Sequence, residues 1–334
     1  ANAVIAHVAT EALGADVHPN DHVNMSQSSN DAIPTCVHVS AAIAIHEHLM
    51  PALRHLSATL EKKSEEVGHI VKTGRTHLMD AVPLTLGQEL GGWAALLDAD
   101  LDRLEGTRPR LLALAQGGTA VGTGLNAHPD FARRFAAELS QRTGMDFRPA
   151  ANAFAAIGAQ DTAVELSGQL RVTALSLLKI ATDLRWMNSG PVAGLGEIRL
   201  PELQPGSSIM PGKVNPVVPE AVGMACVQVV GLDTAVALAA QDNRFQLATM
   251  LPLIAFDLLQ QLALLTGAAG SLGQQAIMRF EADAAALGER AARNAMLTTA
   301  LTPRIGYDLA GEIARKALEQ GRPVLDVARE LSGL

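Results

Sequence analysis

Apolar residues return every three or four positions along most of this chain, the spacing of helices that bury one face or more. One pattern runs unbroken from about Gln160 to Trp186 and contains "TAVELSGQLRVTALSLLKIATDL", with a single glycine. At 1.5 Å per residue such a helix is roughly 40 Å long. A second, from Pro216 to about Gln241, is apolar on nearly every face ("EAVGMACVQVVGLDTAVALAA"), which suits a helix enclosed by others. A third occupies Phe245 to Leu265. Helices this long and this apolar exceed what one small domain can cover, so the pattern predicts an all-α, long-helix bundle that associates into an oligomer. Near Gly270 the segments shorten and gain charge, ending in "IGYDLAGEIARKALEQG", which predicts a small C-terminal helical domain. The first residue is Ala1, not methionine, and "ANAVIAHVATEALG" reads as a helix already under way. An N-terminal part of the protein is therefore expected to lie outside this chain.

Composition agrees: aromatic residues are only 3% of the chain while alanine and leucine abound, which favours helix over sheet. The formal net charge of -8, without any dense run of lysine or arginine, argues against nucleic acid or an anionic membrane surface as partner. A small molecule is the expected ligand. Two cysteines, Cys36 and Cys226, are too few for a disulfide framework. The sequence reads as having neither a signal peptide nor an apolar run long enough to span a bilayer, so a soluble protein of the reducing cytoplasm is expected.

Three segments carry candidate chemistry. Each is rich in hydrogen-bonding side chains and ends in a proline placed as if near the start of a helix: "SQSSNDAIP" (Ser26 to Pro34), "GRTHLMDAVP" (Gly74 to Pro83) and "GSSIMPGKVNP" (Gly206 to Pro216). The unpaired amides and positive dipole end of a helix N-terminus suit an anion, and three such ends could hold a small dianion. Taken singly, Ser, Asn and Asp in such places are caps more often than ligands, Asn215 before Pro216 being the clearest cap candidate. His77 stands beside Thr76 and Arg75 in a loop, and Lys213 stands beside Gly212 near two serines, where it can favour a nearby hydroxyl's anionic form. "HPNDH" (His18 to His22) invites a metal but offers no third ligand of matching spacing, so no metal and no cofactor is expected. "GGTAVGTG" (Gly117 to Gly124) lacks the Gly-Lys-Ser/Thr and the preceding strand of a phosphate-binding loop.

Together, and in this order and spacing, the three segments resemble the fumarase/aspartase superfamily, and within it the class II fumarases most. "GSSIMPGKVNP" resembles the superfamily signature, and "VHPNDHVNMSQSSNDAIPT", "TGRTHLMDAVPLTLGQELGGW", "GGTAVGTGLNAHPDFA" and "IGYDLAGEIARKA" each resemble fumarase segments, so the likeness spans essentially the whole chain. It implies three domains: residues 1–26 as the end of a largely missing N-terminal domain, 27–277 as the central bundle, and 278–334 as the C-terminal domain. It implies a homotetramer whose active sites are shared between chains. It implies reversible anti elimination of water from L-malate to fumarate through an aci-carboxylate. Carried over residue by residue, Ser207 is the base, and His77 handles the leaving hydroxyl through a water, oriented by Glu220. Lys213 and Asn215 contact substrate carboxylate, with Ser28, Ser29, Asn30 and Thr76 completing the pocket. His18, Asn20 and Asp21 match a second, non-catalytic dicarboxylate site.

Some positions depart from that pattern. Fumarases commonly read "FELN" where this chain has "FQLA" (Phe245 to Ala248), and Met25 stands where several relatives carry lysine. "LPELQPGSS" and "NPVVPE" also resemble aspartase, an ammonia-lyase, although Ser29 and Gly212 match fumarase at positions where aspartases usually have threonine and alanine. The superfamily also includes inactive structural lens proteins; that alternative predicts damage at Ser207, His77 or Lys213, and all three are intact.

Overall fold

The computed structural model describes residues 1–333. In chain order the elements are α1 (Asn2–Leu13), α2 (Ser29–Ala44), α3 (Met50–Glu66), β1 (Val71–Thr76), β2 (Met79–Thr85), α4 (Leu86–Leu111), β3 (Ala113–Leu114) and α5 (Phe131–Thr143). There follow β4 (Arg148–Pro149), α6 (Ala153–Gly158), α7 (Asp161–Met187), β5 (Ile198–Arg199), α8 (Val217–Gln241) and α9 (Leu251–Ser271). The chain closes with β6 (Glu281–Ala282), α10 (Ala284–Arg293), α11 (Thr302–Ile305), α12 (Tyr307–Gln320) and α13 (Val324–Ser332).

The long helices follow from their periodicity. Leu53, Leu56 and Leu60 on α3 are wholly buried, as are Leu166, Leu170, Ala174, Leu177, Ile180 and Leu184 on α7: each set steps by three or four and forms one continuous stripe. The observed α7 and α8 lie within a residue of the predicted bounds. The third long helix is shifted, starting at Leu251 instead of Phe245. Residues 244–247 fold into a tight turn, with a bridge between Arg244 and Leu247 and Phe245 at φ 53°, a conformation no helix continues through.

Two further expectations need correction. Helix α8 and the segment Leu251–Ile277 are long and apolar enough to cross a bilayer by length and composition, contrary to the sequence reading. Asp233 and Asp257 break their apolar character at buried positions, as in the core helices of a bundle. The segment around His77 is not a loop feeding a helix but a β-hairpin, and Pro83 lies inside β2 opposite Thr73. A proline missing its N–H is tolerated there because a two-stranded ribbon has open edges. Thr85 then starts α4 as a cap: its Oγ1 accepts from Gln88 N while Gln88 Oε1 accepts from Thr85 N.

The chain packs as two compact units whose boundaries fall inside α3, α4, α7, α8 and α9. The first comprises residues 1–52, 99–175 and 224–267. In it a buried polar cluster fixes three long helices in register: Ser167 of α7 donates to Asp233 of α8 at 2.7 Å and accepts from Gln261 of α9 at 2.9 Å, and Arg171 pairs with Asp233. The second comprises residues 53–98, 176–223 and 268 onward. It holds the hairpin, the serine loop before α8, and a separate small core near the C-terminus of Ile313, Ala317, Val324, Val327 and Ala328, packed against Leu297 and Leu301.

Candidate active site

In the first unit, Ser28 caps α2: its Oγ accepts from Asn30 N, and Asp31 Oδ1 accepts from Ser28 N, a reciprocal capping box. Pro34 therefore sits well inside α2, not at its first position. Asp31 is fully buried and reaches further, its Oδ2 accepting from Gly117 N at 3.0 Å and Thr119 N at 2.9 Å. The glycine-rich stretch 117–124 thus folds its amides around an internal carboxylate. Gly117 is needed for that fold, at φ 98° and with Ala132 Cβ only 2.5 Å from where its own Cβ would stand. Asn30 Nδ2 donates to Ala120 O at 2.7 Å and Ser26 Oγ to Asn126 O, so "SSN" is pinned to the same loop while Ser29 stays exposed. His18, Asn20 and Asp21 lie on a π-helical turn, where His18 Nδ1 accepts from the amides of Asn20 and Asp21.

In the second unit, His77 and Leu78 are the two tip residues of the hairpin, at φ 54° and 60°. This is the positive-φ signature of a tight hairpin turn, made by residues that do not favour it and held by the strands on either side. Thr76, His77 and Leu78 are all exposed. Below them lies a buried charge network: Lys72 meets Glu89 at 2.6 Å and Glu197 at 2.7 Å, and Arg75 meets Glu197 at 2.7 Å. Glu197 Oε2 is at ion-pair distance from Lys72 without hydrogen-bond alignment. Within this network two cations balance two carboxylates.

The serine loop is closed on itself. Asn215 does not cap α8; its Nδ2 donates to Gly206 O at 3.0 Å, tying the loop's ends together. Gly206 packs so close to Lys213 that a Cβ there would lie 1.2 Å from the Lys213 carbonyl oxygen. Within the closed loop Ser207 Oγ accepts from Met210 N at 3.0 Å and from Ile209 N at 3.3 Å, while Lys213 is exposed. Glu220, in the first turn of α8, faces Arg185 at 4.0 Å. No hydrogen bond or ion pair among the described residues joins His77 to Glu220 or to the Ser207 loop. The structure thus gathers Ser207, Lys213 and Asn215 in one loop and Ser28, Ser29 and Asn30 at one helix start, and presents His77 separately. Asp31, Lys72, Glu89 and Glu197, which hold these segments, were missed from sequence; apart from the Ser28–Asp31 capping box, their partners are too distant along the chain for any spacing rule.

Long buried helices, with donor-rich segments at their starts and at a hairpin tip, define a helical-bundle protein with candidate sites for an anion. Residues 1–231 match the family model described as Lyase, and residues 297–334 match that for the fumarase C C-terminus. The chain is 56% identical to fumarate hydratase class II 2 of Pseudomonas aeruginosa over all of its length and 73% of the relative's. Among solved structures it is similar to a fumarate lyase:delta crystallin from Brucella melitensis bound to cobalt (TM-score 0.94, 43% identity, 99% of this chain and 73% of that one). It is also similar to a class II fumarase from Schistosoma mansoni (TM-score 0.93, 36% identity, 98% and 73%). The chain belongs to the fumarase/aspartase superfamily, in its class II fumarase branch.

Proposed function

We propose that this enzyme interconverts L-malate and fumarate, with Ser207 as the base. The observation that carries the assignment is that Ser207 Oγ accepts two backbone amides in the loop that holds Lys213. An ordinary serine hydroxyl is far too weak an acid to ionise near pH 7; amide donors and a nearby cation favour its alkoxide. In the dehydrating direction Ser207 takes the proton from the carbon beside one carboxylate. The electron pair moves into that carboxylate, held by Lys213 and Asn215, and then forms the double bond as the C–O bond breaks. His77, through a water and oriented by Glu220, protonates the departing hydroxide. Ser28, Ser29, Asn30 and Thr76 bind the remainder of the dicarboxylate, and His18, Asn20 and Asp21 form the second, non-catalytic site.

The division into an N-terminal segment (1–26), a bundle (27–277) and a C-terminal domain (278–334) belongs to the same reading, supported by the separate small core beyond Leu297. So does a homotetramer. The support is apolar surface that one chain leaves open: Met224, Val227 and Leu238 on α8 and Leu253 and Phe256 on α9 are exposed. Cytoplasmic location rests on two free thiols, Cys36 and Cys226.

The test uses NMR to identify products from fumarate alone and from fumarate with ammonium. Malate is expected in both tubes; aspartate only with ammonium, and no malate in either, would move the enzyme to the ammonia-lyases. Ser207→Ala should lower turnover at least about a thousandfold with little change in dicarboxylate binding. Near-normal turnover would remove Ser207 from the chemistry.

A further inference from the structure

A cavity of about 240 Å³ opens in the second unit beneath the hairpin, lined from both strands and from α10. Its buried polar residues are Thr73, Glu197 and Asn294. Glu197 is occupied by Lys72 and Arg75, and Asn294 spends its amide on Ala81 O and Thr73 Oγ1. The Thr73 hydroxyl, as acceptor of that bond, keeps its own proton to donate. Two arginines of α10 complete the cationic side: Arg290 donates to the Leu195 carbonyl, and Arg293 has no hydrogen-bond or ion-pair partner among the described residues. Asp80 lines the same cavity. It faces Arg75 in the strand register, yet the Arg75 guanidinium goes to Glu197, so the Asp80 carboxylate likewise has no such partner among the described residues. Arg293 and Asp80 thus share one space without pairing across it.

We propose that this cavity is a binding site for a small carboxylate carrying a hydroxyl or ammonium group on the adjacent carbon, an α-hydroxy or α-amino acid. The carboxylate takes the free guanidinium of Arg293 and a remaining N–H of Arg290, the bidentate partners such a group prefers. The Thr73 hydroxyl adds a third donor. The ligand's own donor reaches Asp80, which rejects a plain anion: without that donor an acid would set its charge against an unpaired carboxylate. Because both strands of the stem line the cavity, an occupant braces the hairpin whose tip carries His77.

Binding can be followed by saturation-transfer NMR and equilibrium dialysis on the assembled enzyme, with L-lactate, L-alanine, propionate and inorganic phosphate as probes. The first two have a single carboxylate and so are poor ligands for sites built for dicarboxylates. Saturable binding of L-lactate, L-alanine or both is expected at one per chain, at least about tenfold tighter than propionate or phosphate. Which of the two binds identifies the donor as hydroxyl or ammonium. Arg293→Gln should weaken it about tenfold or more, and Asp80→Asn should erase the preference over propionate. Both side chains are exposed, so unchanged melting temperatures confirm folded variants. Failure of both probes to bind, binding untouched by Arg293→Gln, or phosphate binding as tightly would overturn the proposal.

Discussion

Asp31 and Asp257 show how one residue type takes opposite roles when its donors differ. Asp31, fully buried, accepts from the backbone amides of Ser28, Gly117 and Thr119. Asp257, 4% exposed on α9, has an Oδ2 that meets no donor among the described residues. Burial pushes its carboxyl above the usual carboxylate range. The folded state therefore holds that proton more tightly than the unfolded chain does. Ionisation of Asp257 costs nothing below the unfolded value of 3.8, and its cost grows as pH rises above that toward and through the folded value. Asp257→Asn keeps the shape and removes the charge, so it should raise the melting temperature at pH 7 by about 2 °C or more, with the gain fading as pH falls to about 4. Calorimetry at the two pH values checks this; an equal gain at both would mean that ionisation is not the cause. Neither role was legible in sequence, where Asp31 follows a polar run and Asp257 stands among apolar neighbours. The "SSN" motif was visible, whereas the bonds from Asp31 to Gly117 and Thr119 span more than 80 positions.

Among elements, those built on one repeating period were the legible ones. α7 and α8 follow directly from stripes of leucine, valine and alanine, because a helix needs only local spacing to declare itself. The hairpin was not legible: Gly74, Pro83 and the polar residues around His77 hide the alternation, and only pairing with Thr73 explains Pro83. The serine loop was readable as irregular chain but not as a closed ring. The structure gives its glycines specific duties, Gly212 at φ 81° and Gly206 packed against Lys213. Gly206→Ala places a Cβ 1.2 Å from a backbone oxygen, so the ring must open and Ser207 must move. A shift of about 1 Å at a reacting group costs on the order of a hundredfold in rate. The expected result is turnover reduced at least about tenfold with an unchanged melting temperature, since the loop lies outside the core. Steady-state kinetics and thermal melting decide it; wild-type turnover would mean that the ring is not the working state of the loop.

At the scale of the whole molecule, one chain leaves apolar helix faces uncovered and, among the described residues, leaves His77 with no bond to the Ser207 loop. The length and hydrophobicity of α8 made the first point readable from sequence; which chain supplies which segment to a site is written in no single sequence. Exposed Phe256 and Val227 call for cover of matching apolar character, which a second copy of the same helices provides at no cost in specificity. If a tetramer supplies that cover and each site draws His77 and Ser207 from different chains, two dead enzymes should rescue one another. His77→Ala and Ser207→Ala proteins, unfolded together and refolded at equal amounts, assemble at random. Each required segment is then wild type half the time, so roughly a quarter of sites hold both intact and activity returns to about that fraction. If one chain supplies both segments, every site keeps one defect and the mixture stays silent. Each mutant refolded alone must remain inactive, and analytical ultracentrifugation must show the mixture as a tetramer. A silent tetramer would sink the shared site while leaving Ser207 as the base, because the single-mutant loss does not depend on which chain delivers it.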